Sequence, residues 1–311
     1  MSRSVKAHIL LVLVTFVWGS TFVVIKNALA DMSPLFFNAV RITLAAVVLA
    51  LIFLRELRSM NRQAFRAGCV VGIFLWLGFE FQTTGLKLTT PSKSAFITGF
   101  SVILVPVFLA LAWRKRVNRW IVAGVFIALA GLYLMTVPAG KGGSGFSGIN
   151  RGDLLTVGCA VMFALQIITM GRAVQRHRFE QMAGVQAIVC AVLMFATVPV
   201  VEHVYAAWTP RVIWAILITG LLGTGAAFAI QAWAQQFTPP THTALIFLLE
   251  PVFAWITSYI VLRERLGWRA GFGASLILAG IVLSELKGSH GELQAEVGAS
   301  DEQSAKAEIY P

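Results

Sequence analysis

Two carboxylates, one arginine and a pair of glutamines stand inside long apolar stretches of this 311-residue chain, and they are its main candidates for chemistry. Glu80 lies in Gly78-Phe79-Glu80-Phe81-Gln82, and Glu250 in Leu249-Glu250-Pro251-Val252-Phe253. A charge at the centre of a bilayer costs at least ~2.5–3.5 kcal/mol on insertion scales, so such groups face protein or a water-filled cavity. A carboxylate there can exchange a proton or recognise a cation. Equally, it can be a hydrogen-bond anchor between helices. Arg41 sits about seven residues into its apolar run, ~10 Å along a helix. It is placed to hold a carboxylate bidentately, or else to snorkel or pair with Glu80 or Glu250.

Gln82 and Gln231 are buried amides that need partners. A symmetric pair would suit the floor of a polar cavity. Trp18 and Thr98, with Thr21, Gln166, Gln186, Trp233 and Tyr259 behind them, fit the mix of aromatic walls and scattered polar groups found in small-molecule cavities. Packing or interfacial roles are open to each of them. Pro106 and Pro251 remove backbone donors inside apolar runs, which makes them candidate hinges or passive kinks. Gly68 and Gly72 form a G-x-x-x-G pattern, and Gly220, Gly223 and Gly225 crowd one run; close helix approach is the expected reason.

Enzyme signatures are missing: there is no H-E-x-x-H, no G-x-S-x-G and no P-loop. His8, His177, His203, His242 and His290 are scattered along the chain, which argues against a metal site. No cofactor is expected. Cys69, Cys159 and Cys190 fall in apolar runs and read as small buried hydrophobes.

The elements that must carry these residues follow from composition. Hydrophobic residues make up 58% of the chain and charged ones 13%, with a mean hydropathy of +0.78. Soluble domains run about 45–50% apolar and about 25% charged. The expected fold class is an all-α membrane protein with ten transmembrane helices, at 8–27, 34–54, 67–86, 94–113, 120–137, 153–171, 181–200, 211–234, 243–262 and 269–286. The first run lacks a cleavage site and reads as a retained helix. The net charge of +11 sits at the ends of apolar runs, where it orients helices against lipid; it forms no basic stripe for nucleic acid.

A shift of 149 residues lays Phe79, Gln82, Thr89, Pro91, Ala95, Ile97, Arg114, Arg116, Gly124, Leu129, Ala130, Gly131 and Leu134 on identical residues. A shift of 145 brings the second run onto the seventh, with Arg41 over Gln186. Pro106 and Pro251 are not equivalent under the shift, so the halves need not bend alike. Two repeats are expected at 7–137 and 153–287, separated by the Gly-rich linker 138–152 and followed by a disordered, acidic cytoplasmic tail at 288–311. Tandem units of five crossings must be inverted relative to each other, the architecture of alternating-access carriers.

Arg3, Lys6, Arg55, Arg58, Arg62, Arg66, Arg114, Lys115, Arg116 and Arg119 gather on one side of the first half, against Lys26, Lys87 and Lys93 on the other. Both termini are therefore expected in the cytoplasm. Arg263, Arg265 and Arg269 fall on the outer side against the rule.

With the repeat, Trp18-Gly19-Ser20-Thr21, Arg41, Leu249-Glu250-Pro251-Val252-Phe253 and Arg263-Glu264-Arg265-Leu266 together, the chain resembles the EamA-type members of the drug/metabolite transporter superfamily over about residues 7–287. The resemblance implies that helices one to four and six to nine surround a central cavity while five and ten stay peripheral. Lys115 stands where the family commonly has an acid like Glu264. The resemblance further implies an inner-membrane exporter of amino acids or related metabolites, not an enzyme. The expected partners are a small-molecule substrate, lipid and protons as coupling ion, with the protein acting as a monomer. The rival readings are a multidrug or sugar-phosphate carrier, or a membrane-embedded enzyme or scaffold.

Overall fold

Helix starts are written locally into the chain. Ser2 accepts from the Val5 N–H to begin α1 (Arg3–Ala28), and Pro34 opens α2 (Pro34–Ile52) with its preset φ. Asn150 and Asp153 close a reciprocal capping box of two 2.9 Å bonds at the start of α7 (Arg151–Ala173). Thr209 caps α9 (Pro210–Gly220). The remaining helices are α3 (Leu54–Arg58), α4 (Arg62–Leu86), α5 (Ser101–Trp113), α6 (Arg119–Thr136), α8 (Phe179–Val201), α10 (Ala227–Ala234), α11 (Pro240–Phe247), α12 (Glu250–Leu262) and α13 (Trp268–Leu283).

This computed structural model describes residues 2–86, 88, 94, 97–113, 118–136, 150–262 and 268–288. Lys87, Lys93, Arg114, Lys115, Arg116, Arg263, Glu264, Arg265, most of the Gly-rich linker and the acidic tail lie outside the described residues. Helix occurs within every one of the ten expected ranges. Six of the described helical stretches are long and apolar enough to cross a membrane; Ile97–Leu111, Arg119–Leu134 and Trp268–Leu283 are shorter apolar helices.

Three of the expected runs are interrupted in mid-span. The eighth passes from α9 through a π-helical turn, Leu221–Ala226, into α10. The ninth breaks between α11 and α12, where Leu248 and Leu249 bond back three residues to Leu245 and Ile246. The fourth has the same break: Phe100 bonds back to Ile97, and Leu104 to Phe100. Phe100 and Leu249 coincide under the 149-residue shift, so the two halves interrupt these helices alike. Proline placement had suggested otherwise. Pro251 sits in the first turn of α12, where a missing N–H is tolerated, while Pro106 lies within α5, past its break.

Glycines set the closest crossings. A Cβ at Gly124 would stand 2.5 Å from the Gly280 carbonyl oxygen, and one at Gly131 2.4 Å from that of Gly273. Thus α6 and α13 run antiparallel with their backbones touching. Gly68 meets Val185 and Gly72 meets Val189, which sets α4 parallel to α8. Of Gly220, Gly223 and Gly225, Gly220 makes the tight approach, its Cβ position 3.0 Å from the Arg41 carbonyl oxygen; Gly223 and Gly225, in the π turn, leave ordinary contact distances of 3.4–3.9 Å.

Candidate functional site

Arg41 is buried on α2. Its Nε donates to Asn38 Oδ1 at 2.9 Å, one turn earlier on the same helix, and Asn38 Nδ2 donates to Thr83 Oγ1 of α4 at 3.0 Å. The guanidinium carbon lies 5.3 Å from the centre of the Phe79 ring, a cation–π contact. Arg41 therefore pairs with neither Glu80 nor Glu250, which corrects one expectation drawn from its sequence position.

Glu80 is also buried, on the α4 stripe that carries Trp76 and Thr83. Its Oε1 accepts from Trp76 Nε1 at 3.3 Å and from the hydroxyl of Thr197 on α8. Both contacts fall on one oxygen. Cys190 of α8 is an electrostatic neighbour of Arg41 and Glu80 together.

Between these groups and α1 runs a chain of rings. Trp18 contacts Phe228, Phe228 contacts Phe79 and Phe79 contacts Phe163, with centroids 5.8, 6.3 and 5.6 Å apart. Trp18 also meets Phe247 at 4.9 Å. Its indole Nε1 donates to the Gly223 carbonyl at 2.6 Å. That carbonyl belongs to the π turn, where the altered register frees backbone acceptors. The tryptophan thus satisfies a group that the irregular helix leaves over.

Thr98 faces Cys159 of α7, with oxygen and sulfur 3.9 Å apart, and Glu250 is an electrostatic neighbour of the same cysteine. Glu250 is half-buried in the first turn of α12. No hydrogen bond or ion pair among the described residues engages its carboxylate. Gly19 of α1 packs directly on the Glu250 backbone carbonyl.

Gln231 is hydrogen-bonded to residues of the second half. Its Nε2 donates to Gln166 Oε1 at 3.1 Å and to Gln235 Oε1 at 3.2 Å, Gln166 Nε2 donates to Gln186 Oε1 at 3.1 Å, and Gln235 Nε2 donates to the Ile167 carbonyl at 2.9 Å. This ladder ties α7, α8 and α10 together inside the second half. The expected Gln82–Gln231 pair is not among the described hydrogen bonds. His8 and His242, scattered in sequence, come together with ring centroids 6.3 Å apart. Tyr259 is exposed, which removes it from the interior candidates.

The structure thus sets Arg41 against the α4 segment that carries Phe79 and Glu80, Trp18 against the π turn, and Thr98 against Cys159. Sequence reasoning passed over Asn38, Thr83 and Thr197, the polar supports of the two buried charges, and Phe228, the hub of the ring chain. Asn38 stands three residues before Arg41 and Thr83 three after Glu80; that spacing on one helical face was the available signal.

A model of the EamA-like transporter family matches residues 5–137 and again residues 150–286. An uncharacterized transporter of Archaeoglobus fulgidus is 35% identical over 285 residues, covering 92% of this chain and 87% of its own. Uncharacterized transporter YoaV of Bacillus subtilis is 24% identical over 293 residues, covering 90% and 97%. A crystal structure superposes with a TM-score of 0.76 at 19% identity, covering 90% of this chain and 97% of that one, and so shares the fold.

Proposed function

The chain belongs to the EamA-like transporter family and is a multi-pass membrane transporter, and from that premise we propose a secondary carrier of ten crossings, built as two inverted five-helix halves, that exports amino acids or related small metabolites by alternating access. The observation that carries the proposal is the way contacts between the halves recur under exchange of equivalents. Gly124 equates with Gly273 and Gly131 with Gly280 under the 149-residue shift, and each touches the equivalent of the other. A two-fold axis produces that reciprocity, whereas two parallel halves related by simple translation would not. Helix pairings follow the same rule: α4 packs on α8 as α2 packs on the α9–α10 helix, and α1 packs on α12 as α5 packs on α7.

In this reading the repeats occupy 7–137 and 153–287, both termini are cytoplasmic, and the membrane is a cell or inner membrane. The first-half arginines at Arg55, Arg58, Arg62 and Arg66, grouped near the α2–α4 connection, support that orientation. The region bounded by Arg41, Glu80, Phe79, Phe228 and Trp18 is the pathway, because residues of both halves meet there. Glu80, or Glu250 with its unengaged carboxylate, carries the coupling proton. Among the described residues Arg41 is the one buried lysine or arginine, which disfavours a phosphorylated cargo that would call for several.

The test is purified full-length protein in proteoliposomes, with counterflow of radiolabelled amino acids under an imposed pH gradient. Saturable flux driven by the gradient is expected. A well-folded protein that moves no member of a broad metabolite panel would favour an enzyme or scaffold. Accessibility labelling of single cysteines placed at residues 82 and 231 tests the inversion.

A further inference from the structure

Arg41 and Glu80 carry opposite charges in one protein interior, yet no ion pair joins them. Among the described residues the ion pairs are Arg178–Glu56, Arg178–Glu180 and Arg211–Asp31, all on exposed arginines. Buried charges in a membrane protein ordinarily find each other. Here each is instead fixed along one edge by neutral groups, Arg41 by Asn38 and the Phe79 ring, Glu80 by Trp76 and Thr197.

The opposite edges stay open. Arg41 Nη1 and Nη2 and Glu80 Oε2 take part in none of the described hydrogen bonds, and none of the three is among the fully enclosed unpartnered atoms, as Gln186 Nε2 and Gln231 Oε1 are. Leaving such groups dry and unmatched is expensive, so the arrangement makes sense if something else supplies their partners. Arg41 stacks on Phe79, the residue before Glu80, its partner Asn38 bonds Thr83 one turn past Glu80, and Glu80 itself bonds Thr197, so both charges belong to one region between α2, α4 and α8. In the repeat scheme, α2 and α4 belong to the first half and α8 to the second, so this region lies on the seam that rocking would open.

We propose that Arg41 and Glu80 form a two-point site for a small zwitterion, whose carboxylate takes the free fork of Arg41 and whose ammonium takes Oε2 of Glu80, between Phe79 and Trp76. The ligand brings both charges, so each buried group is matched and the complex adds no net charge to the interior. A net anion of the same size leaves Glu80 unmatched, and a net cation leaves Arg41 unmatched. Each mismatch strands a desolvated charge and should weaken binding by roughly ten-fold or more. The proposal rests on the carrier reading for its purpose, but its recognition chemistry can be measured without transport.

Binding of the twenty common amino acids to the detergent-purified full chain is followed by thermal shift and by intrinsic tryptophan fluorescence. For the amino acid with the largest signal, its methyl ester and its N-acetyl derivative are compared with the parent, and counterflow is run in parallel. The parent should outcompete both blocked forms by roughly ten-fold or more. Glu80→Gln should erase the penalty on the N-acetyl form while keeping that on the ester, and Arg41→Gln should do the reverse, with Arg41→Lys retaining part of the parent's advantage. Zwitterion binding without flux would leave the site standing and remove the carrier reading. Flux in which blocked and parent compounds compete equally, or variants that lower all three alike, would overturn the site and spare the carrier. Absence of any zwitterion binding or flux overturns the site too.

Discussion

Phe79 and Phe228, laid on each other by the 149-residue shift, meet edge to face with ring centroids 6.3 Å apart and planes at 85°. A residue that touches its own equivalent marks the place where a two-fold axis would pass. The rings beyond them follow suit: Phe228 extends to Trp18 of α1, and Phe79 to Phe163 of α7. An aromatic contact thus joins the two family-matched stretches, with the Arg41 guanidinium over its Phe79 ring.

Phe228 is buried, so Phe228→Ala should destabilise the protein by about 3–5 kcal/mol, and the double-mutant cycle with Phe79→Ala should show a coupling of about 0.5–1.5 kcal/mol. Denaturant unfolding in micelles measures both. Additive effects would mean that the two rings do not act on each other.

Gly280→Ala places a methyl group 2.4 Å from the Gly124 carbonyl oxygen, a backbone atom that cannot swing away. A loss of about 1–3 kcal/mol or more is expected. Gly223→Ala is the matched control, since its nearest neighbours stand 3.9 Å away and the change should be tolerated in folding. Comparable melting temperatures for the two variants would contradict the close crossing of α6 and α13.

Trp18→Phe keeps a ring against Phe228 and Phe247 but removes the donor to the Gly223 carbonyl. The stranded acceptor should lower stability by about 1–3 kcal/mol. Hydrogen exchange of the amides in 221–226 should rise with it. Unchanged exchange there would show that the π turn does not depend on the indole.

The two halves are stitched at one end by a backbone bridge between Met32 and Ala206, with Ser33 N–H on the Tyr205 carbonyl at 2.9 Å and the Thr209 hydroxyl on Asp31 at 3.0 Å. Cysteines introduced as Met32→Cys and Ala206→Cys fall within the usual Cα separation for a disulfide. Oxidation should give a reversible intramolecular cross-link, seen as a mobility change restored by reductant. If that end must part during transport, the oxidised protein should lose flux and regain it on reduction; full flux while cross-linked would place the moving gate elsewhere.

Glu202 ends α8 and its carboxylate accepts from the Leu35 and Phe36 N–H groups at 2.8 and 3.1 Å, capping α2 from the other half. Glu202→Ala should lower stability by about 1–2 kcal/mol, and Glu202→Gln by less. Equal melting points for wild type and the alanine variant would argue against the cap.

The amino-acid sequence by itself determined the helical ranges, the duplication and the presence of charged groups that had to be buried, because runs of apolar residues, identities at a fixed shift and an arginine or glutamate inside such a run are local properties. It also carried Gly68 and Gly72 as a crossing, since small residues four apart can only present one face. Tertiary structure alone decided the partners. Trp18 reaches a carbonyl 205 residues away, Gln231 joins Gln166 and not Gln82, and Glu80 is held by a threonine 117 residues on. Which side chains meet across packed helices depends on the crossing angle and rotation of each rod, and the π turn and the paired breaks at Phe100 and Leu249 reset that rotation partway along. Hydropathy and periodicity contain no such information, so the sequence could name the charges but only the packed chain could give Arg41 and Glu80 separate neutral partners.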